Sequence, residues 1–146
     1  MKIVKNRQAG ACVSAEKFFD QISDMRNFGQ LLPGDLVNNY RSDENSCFLT
    51  ITSAGTISLQ IVTREPFSKV LYTGNAFSRI NLGLEVRIEE LQADRCNVDL
   101  ILTGETDPVT GMFLSSVLDT FLDKMVSEIR NYRCQNFNPP KENPLP

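Results

Sequence analysis

Residues 107–133, DPVTGMFLSSVLDTFLDKMVSEIRNYR, carry the longest helical pattern in the chain. Asp107 is suited to cap the first free N–H groups of a helix, and Pro108 stands where its missing N–H costs nothing. Apolar residues then recur at helical spacing along one side, at Phe113, Leu114, Val117, Leu118, Phe121, Leu122, Met125, Val126 and Ile129. We predict one helix over residues 109–133. Its apolar arc is wider than the usual surface stripe, so it needs a broad apolar surface to pack on.

The segment 36–105 changes to a period of two, which is typical of strands with one buried face. The alternation is clearest in residues 81–89 and 97–103, and polar or glycine-containing turns separate the strands. Short connections and regular alternation predict six strands in one antiparallel meander, apolar on one face and solvated on the other.

The first 35 residues predict one strand and two short helices. Residues 2–13 alternate, although neither face is strongly apolar. Ser14 can cap a first helix whose buried side holds Phe18, Phe19 and Ile22. A second helix over residues 25–32 contains the unfavourable Gly29 and ends at a Pro-Gly turn. The apolar faces of the sheet and of the last helix can bury each other, which predicts an α+β fold.

Length, charge and composition exclude several classes of protein. A chain of 146 residues suits one domain, assigned here to residues 1–133. Four of the seven prolines fall in residues 134–146, which are predicted to be a tail without its own fold. Net charge is −3 without a basic cluster, so no nucleic-acid partner is expected. No apolar run approaches the ~18 residues of a transmembrane segment, and the polar residues 5–8 exclude a signal peptide.

The chain contains no histidine, which excludes Ser-His-Asp and Cys-His catalysis and histidine-ligated metals. The four cysteines are widely spaced and form no CxxC motif; they are Cys12, Cys47, Cys96 and Cys134. We interpret them as reduced thiols in a cytoplasmic protein. No metal and no cofactor are expected.

The order of predicted elements resembles the START-like superfamily, also called SRPBCC, and its most specific segments are residues 14–19 (SAEKFF), 22–24 (ISD) and 31–34 (LLPG). This is the helix-grip fold of plant pollen allergens, polyketide cyclases and lipid-transfer domains, in which a curved seven-stranded antiparallel sheet wraps around a long C-terminal helix. The resemblance covers residues 1–133. It implies an apolar ligand between sheet and helix, of lipid, sterol or polyketide-like kind. Residues 42–45 lack the glycine-rich loop of the plant allergen branch, which disfavours that branch.

We expect a ligand cavity walled by inward-facing residues of the strands and the last helix. The predicted walls are Leu49, Ile51, Leu59, Ile61, Tyr72, Leu84, Val86, Leu100, Phe113, Leu114, Val117, Leu118 and Phe121. For any one of these apolar helix residues, packing in the core is a more common role than lining a cavity. Tyr72 is either a core aromatic with its hydroxyl near solvent or a hydrogen-bond donor to the ligand. Asn75 and Arg79 are assigned to a polar rim, although an exposed loop arginine is usually only solvated.

The charged residues offer no pair of buried carboxylates for acid–base catalysis. Asp119 and Asp123, four residues apart on the last helix, are expected to point to solvent; a cation or partner contact is the alternative. Three functions remain open. The first is a non-enzymatic binder or carrier of a small apolar molecule. The others are a protein-interaction module or homodimer with a filled core, and a cyclase- or dehydratase-type enzyme.

Overall fold

The computed structural model describes residues 1–52, 54–77 and 80–132. The elements run in the order β1 (Lys2–Ala11), α1 (Ala15–Ile22), α2 (Met25–Phe28), a 3-10 turn (Gly29–Leu31), β2 (Val37–Ser42), β3 (Ser46–Ile51), β4 (Gly55–Glu65), β5 (Lys69–Ala76), β6 (Ile80–Gln92), β7 (Arg95–Glu105) and α3 (Pro108–Asn131). The predicted order of one strand, two short helices, six strands and one long helix is confirmed. The tail predicted at residues 134–146 lies outside the described residues.

All seven strands form one curved antiparallel sheet in the order β1-β7-β6-β5-β4-β3-β2. The inward faces of β6 and β7 are buried at the positions that the alternation predicted, which are Leu82, Leu84, Val86, Ile88, Val98, Leu100 and Leu102. Register is firmly specified here because a slip of one residue would turn this apolar set toward water. The predicted α+β helix-grip architecture is confirmed.

Helix α3 begins as its sequence predicts, since the Asp107 carboxylate accepts the backbone N–H of Thr110 at 3.0 Å. The buried stripe is narrower than expected and consists of Gly111, Leu114, Leu118, Leu122, Met125, Val126 and Ile129. Phe113, predicted to face the sheet, is 53% exposed. It lies five residues before Leu118, about 140° around the helix, and therefore turns away from the sheet.

The second short helix is interrupted at the glycine. Helix α2 ends at Phe28, and Gly29 begins the 3-10 turn. A Cβ on Gly29 would lie 2.8 Å from the ring of Tyr40, so this ring packs directly on the backbone. The absence of a side chain at Gly29 lets β2 approach the helical segment closely.

All three tyrosines of the chain donate a hydrogen bond from the hydroxyl to the α1–α2 segment. Tyr40 donates to the carbonyl of Met25 at 2.5 Å and Tyr72 to the carbonyl of Ile22 at 2.6 Å. Tyr132, just after α3, donates to the side-chain oxygen of Gln21 at 2.6 Å. The two short helices are thus fixed over one end of the sheet from β2, β5 and α3.

The cysteines depart in part from the prediction of reduced thiols. Cys47 and Cys96 are free and buried, and burial raises the pKa of each thiol to about 11. Cys12 is disulfide-bonded, so the prediction is wrong there. Among the described residues, no helix has the length and apolarity to cross a membrane, and no group of acidic and cysteine side chains is placed to hold a metal ion.

Candidate functional site

An apolar cavity lies between α3 and the concave face of the sheet, with a volume of about 30 Å³. Eleven side chains from α2, β3, β4, β6, β7 and α3 line it: Phe28, Leu49, Ile57, Leu59, Leu82, Leu84, Leu102, Leu118, Phe121, Leu122 and Met125. None of these side chains carries a hydrogen-bond donor or a charge, and seven of the eleven are leucine. The cavity therefore offers only dispersion contacts and the exclusion of water.

The cavity volume is small for a ligand site. About 10–15 Å³ measured in this way holds one water molecule, and drug-sized ligands occupy pockets of about 300–1,000 Å³. An apolar wall gives a water molecule no hydrogen bond, so such a space stays dry. The structure thus holds a contracted apolar space that a ligand can enter only if some of the lining side chains move apart.

Five of the predicted wall residues line the cavity, namely Leu49, Leu59, Leu84, Leu118 and Phe121. Seven others pack in the surrounding core without lining it, and these are Ile51, Ile61, Tyr72, Val86, Leu100, Leu114 and Val117. Phe113 is on the surface. Six lining residues were not assigned to the walls: Phe28, Ile57, Leu82, Leu102, Leu122 and Met125. All but one lie on the predicted apolar faces of the strands or the last helix, so the signal was present, and Phe28 comes from the closing helix.

Tyr72 is buried, and its hydroxyl donates to the carbonyl oxygen of Ile22 at 2.6 Å. Burial raises the pKa of this phenol well above its ordinary value. Of the two predicted roles, Tyr72 has that of a core aromatic residue, but its hydroxyl is buried and does not lie near solvent. The hydroxyl is engaged with the backbone of α1, so a ligand would have to displace that carbonyl to use it.

The predicted polar rim is not assembled around the cavity in the described residues. Asn75 is half-buried on β5 and alternates with the buried Ala76, which places it on the outer face of the sheet. Arg79 lies outside the described residues. The outer face also carries the Arg87–Glu85 ion pair, in agreement with its prediction as a solvated surface.

The solvent edge of the cavity is marked by Phe121, which is half-buried although its ring lines the cavity. One turn further along α3, the Lys124 ammonium donates to the Asp35 carboxylate at 2.7 Å. This hydrogen bond lowers the pKa of Asp35. The ion pair ties α3 to the turn that follows the short helices, on the side of the helix where Phe121 lies.

The other flank of α3 is tied to β1 by the β1–α3 clasp, which consists of Lys5, Arg7, Ser115, Asp119 and Asp123. The Lys5 ammonium donates to Ser115 Oγ at 2.7 Å and to Asp119 at 3.1 Å. The Arg7 guanidinium donates to Asp119 at 2.9 Å and to Asp123 at 2.7 Å. The two aspartates therefore bind the inward-facing cations of an edge strand, and the prediction that they point only to solvent is wrong.

The clasp is expected to make stability depend on pH below the ordinary aspartate range. Hydrogen bonds from Lys5 and then Arg7 lower the pKa of Asp119 in the folded protein. A carboxyl with a lowered folded pKa stabilises the fold above its unfolded pKa of about 3.9 and loses this contribution as pH falls through the folded value. Since Asp119 is 43% exposed, we expect a contribution of no more than about 1 kcal/mol.

Urea unfolding of the wild type and of Asp119→Asn at pH 7 and at successively lower pH measures this contribution. The variant should be less stable at pH 7, and the two proteins should converge at the acid end. A difference that stays constant with pH would show that Asp119 acts through packing. Glu128→Gln, on the same helix and away from the clasp, is the control.

Neither a protein-family model nor a curated protein sequence matches the chain. Solved structures do. A START superfamily protein from Mycobacterium smegmatis has a TM-score of 0.71 at 14% identity, over 92% of this chain and 98% of that one. The protein XoxI from Bacillus cereus has a TM-score of 0.71 at 12% identity, over 88% and 93%.

A third similar structure is norcoclaurine synthase from Thalictrum flavum in complex with dopamine and hydroxybenzaldehyde. Its TM-score is 0.61 at 10% identity, over 87% of this chain and 86% of that one. Identities this low establish a common architecture and leave the chemistry open. The chain has the START-like helix-grip fold.

Proposed function

We propose that the protein binds a small, mostly apolar molecule in the cavity between the sheet and α3. The observation that carries this proposal is the unfilled space at the centre of the sheet–helix interface, with eleven lining side chains that are all apolar. Protein cores are normally close-packed, and an empty space forfeits dispersion contacts on every wall. A ligand would restore these contacts.

The cavity must expand to receive such a molecule. Phe121 is the natural moving part because its ring lines the cavity while the side chain is only half-buried. Outward rotation of this ring would open the space without breaking a hydrogen bond. With no polar group on the walls, the part of the ligand inside the cavity would be hydrocarbon or aromatic, and any polar group would remain outside it.

The comparisons agree with this proposal at the level of architecture. A norcoclaurine synthase with the same fold is known in complex with dopamine and hydroxybenzaldehyde, two small aromatic molecules. The same fold can therefore host small aromatic ligands. Lipid-, sterol- and polyketide-like molecules remain the ligand classes that we propose for this chain.

Opposite changes of volume at Leu118 test the proposal. Leu118→Phe fills the space and is expected to abolish uptake of an apolar fluorescent probe such as N-phenyl-1-naphthylamine. Leu118→Ala enlarges the space and is expected to increase uptake while lowering stability by about 2–5 kcal/mol. Fluorescence titration measures the binding, and urea unfolding measures the stability.

Leu100→Ala is the matched control. Leu100 is as deeply buried as Leu118 and lies on the sheet side of the same core, but it does not line the cavity. This variant should cost a similar free energy of unfolding and leave probe binding unchanged. If the wild type and both Leu118 variants take up no probe, the ligand-binding proposal fails. Native mass spectrometry of protein from its own host would identify the natural ligand by an extra mass that is lost on denaturation.

The small cavity volume favours a second candidate, an interaction module or homodimer with an essentially filled core. Helix α3 also exposes three apolar side chains in its first two turns, Val109, Met112 and Phe113. Sedimentation velocity separates the candidates, since a concentration-dependent dimer without ligand uptake would support the second. The enzyme alternative is less favoured because the eleven lining side chains include no acid, base or nucleophile.

A further inference from the structure

Lys5, one of the two cations on the inner face of β1, lies beside the wall of the cavity. Lys5 pairs in register with Leu102 on β7, and Leu102 lines the cavity. On the helix, Asp119 directly follows Leu118, another lining residue. Cross-strand neighbours on one face of a sheet lie about 4.5–5.5 Å apart, so Lys5 is one side chain away from the apolar space.

The two sides of the clasp differ in exposure. The cations lie on the strand, with 18% of the Lys5 side chain and 25% of the Arg7 side chain exposed. The carboxylates lie on the helix and are more exposed, 43% for Asp119 and 66% for Asp123. An aspartate can therefore turn to water at little cost, whereas Lys5 would stay partly buried and need another anion.

We propose that Lys5 and Ser115 bind the carboxylate head of an amphiphilic ligand whose hydrocarbon part occupies the cavity, with Asp119 as the placeholder for that head in the free protein. This inference rests on the proposed ligand-binding function and adds the charge of the ligand. Exchange of one carboxylate for another leaves every cation of the clasp paired. A neutral or cationic head that displaced Asp119 would leave Lys5 without an anion.

Lys5 is better placed than Arg7 to bind the carboxylate of a ligand. The Arg7 guanidinium is held at three points, by Asp119, by Asp123 and by the backbone carbonyl of Asn6. Within the described part of the chain, the Lys5 ammonium is held at two points, by Ser115 and Asp119. When Asp119 leaves, Arg7 keeps Asp123, while the ammonium of Lys5 and the hydroxyl of Ser115 become available together to a new pair of carboxylate oxygens.

A matched pair of ligands tests the proposal. Dodecanoate and dodecanol share one chain and differ in the head, and isothermal titration calorimetry below the micelle-forming concentration measures each Kd. The wild type is expected to bind dodecanoate at least about tenfold more tightly than dodecanol, since a charge-assisted hydrogen bond to the carboxylate head strengthens binding. Lys5→Met should abolish this preference and leave dodecanol binding unchanged. Asp119→Asn should tighten dodecanoate binding because it removes the competing carboxylate.

Lys124→Met is the control. It removes a lysine on α3 that pairs with Asp35 and takes no part in the clasp. It should leave the preference for dodecanoate intact. Equal binding of the two ligands by the wild type, or a preference that survives Lys5→Met, would overturn the proposed head-group site while leaving the cavity as a ligand site. If neither ligand binds any of these proteins, the proposed function itself fails.

Discussion

Gly74→Ala is expected to destabilise the protein by about 3 kcal/mol or more, although it adds only one methyl group. A Cβ on Gly74 would lie 2.0 Å from the backbone carbonyl oxygen of Ser58 and 2.8 Å from the side chain of Leu59. Because the nearest atom belongs to the backbone of the neighbouring strand, a side-chain rotation cannot relieve the clash. Strands β4 and β5 would have to separate at the centre of the sheet. Urea or thermal unfolding measures the loss.

Gly10→Ala is the matched control, since Gly10 also lies in a strand but a Cβ there would have no atom of the described chain beyond its own neighbours within 4 Å. At this position the alanine should be neutral or stabilising by about 0.5–1 kcal/mol, because it restricts the unfolded chain. If the two variants had equal stability, the close approach of β4 and β5 at Gly74 would be wrong.

Periodicity predicted the parts of the fold in which one physical requirement dominates. In strands β6 and β7 every second side chain must point to the core. The pair Asp107-Pro108 is typical of the start of a helix. These elements were predicted in register and in type. The weakness of the second short helix at Gly29 was a local signal, but the packing of the Tyr40 ring on this glycine, eleven residues away, is shown by no local pattern.

The candidate site was predicted less completely because it depends on how far apart two apolar faces lie. Alternation says that Leu84 and Leu100 both point inward, and both do. Only the packing of α3 across the curved sheet decides that Leu84 lines the cavity and Leu100 does not. The clasp was missed for a similar reason. Lys5 and Arg7 made β1 look weakly apolar, and their partners on α3 are more than a hundred residues away.

Phe28→Ala is expected to destabilise the protein by about 3–5 kcal/mol and at the same time to enlarge the cavity. Phe28 is fully buried, lines the cavity from α2, and packs its ring against Tyr72 with a centroid distance of 5.2 Å. Loss of this ring removes apolar area from the core and joins its volume to the existing space. Urea unfolding measures the stability, and Phe48→Ala, at a phenylalanine that is 52% exposed, should cost less than about 1 kcal/mol.

The enlarged cavity gives Phe28→Ala a second readout, which shows whether the α1–α2 segment keeps its place when the ring is removed. Small aromatic molecules enter dry apolar cavities, and a ligand that binds only the folded state raises the unfolding midpoint. Benzene should therefore raise the unfolding midpoint of Phe28→Ala more than that of Phe48→Ala, which keeps the small wild-type cavity. Absence of this effect would mean that α2 collapses onto the sheet when the ring is removed. Since Tyr40, Tyr72 and Tyr132 hold the α1–α2 segment at three separate points, we expect it to stay in place and the space to remain open.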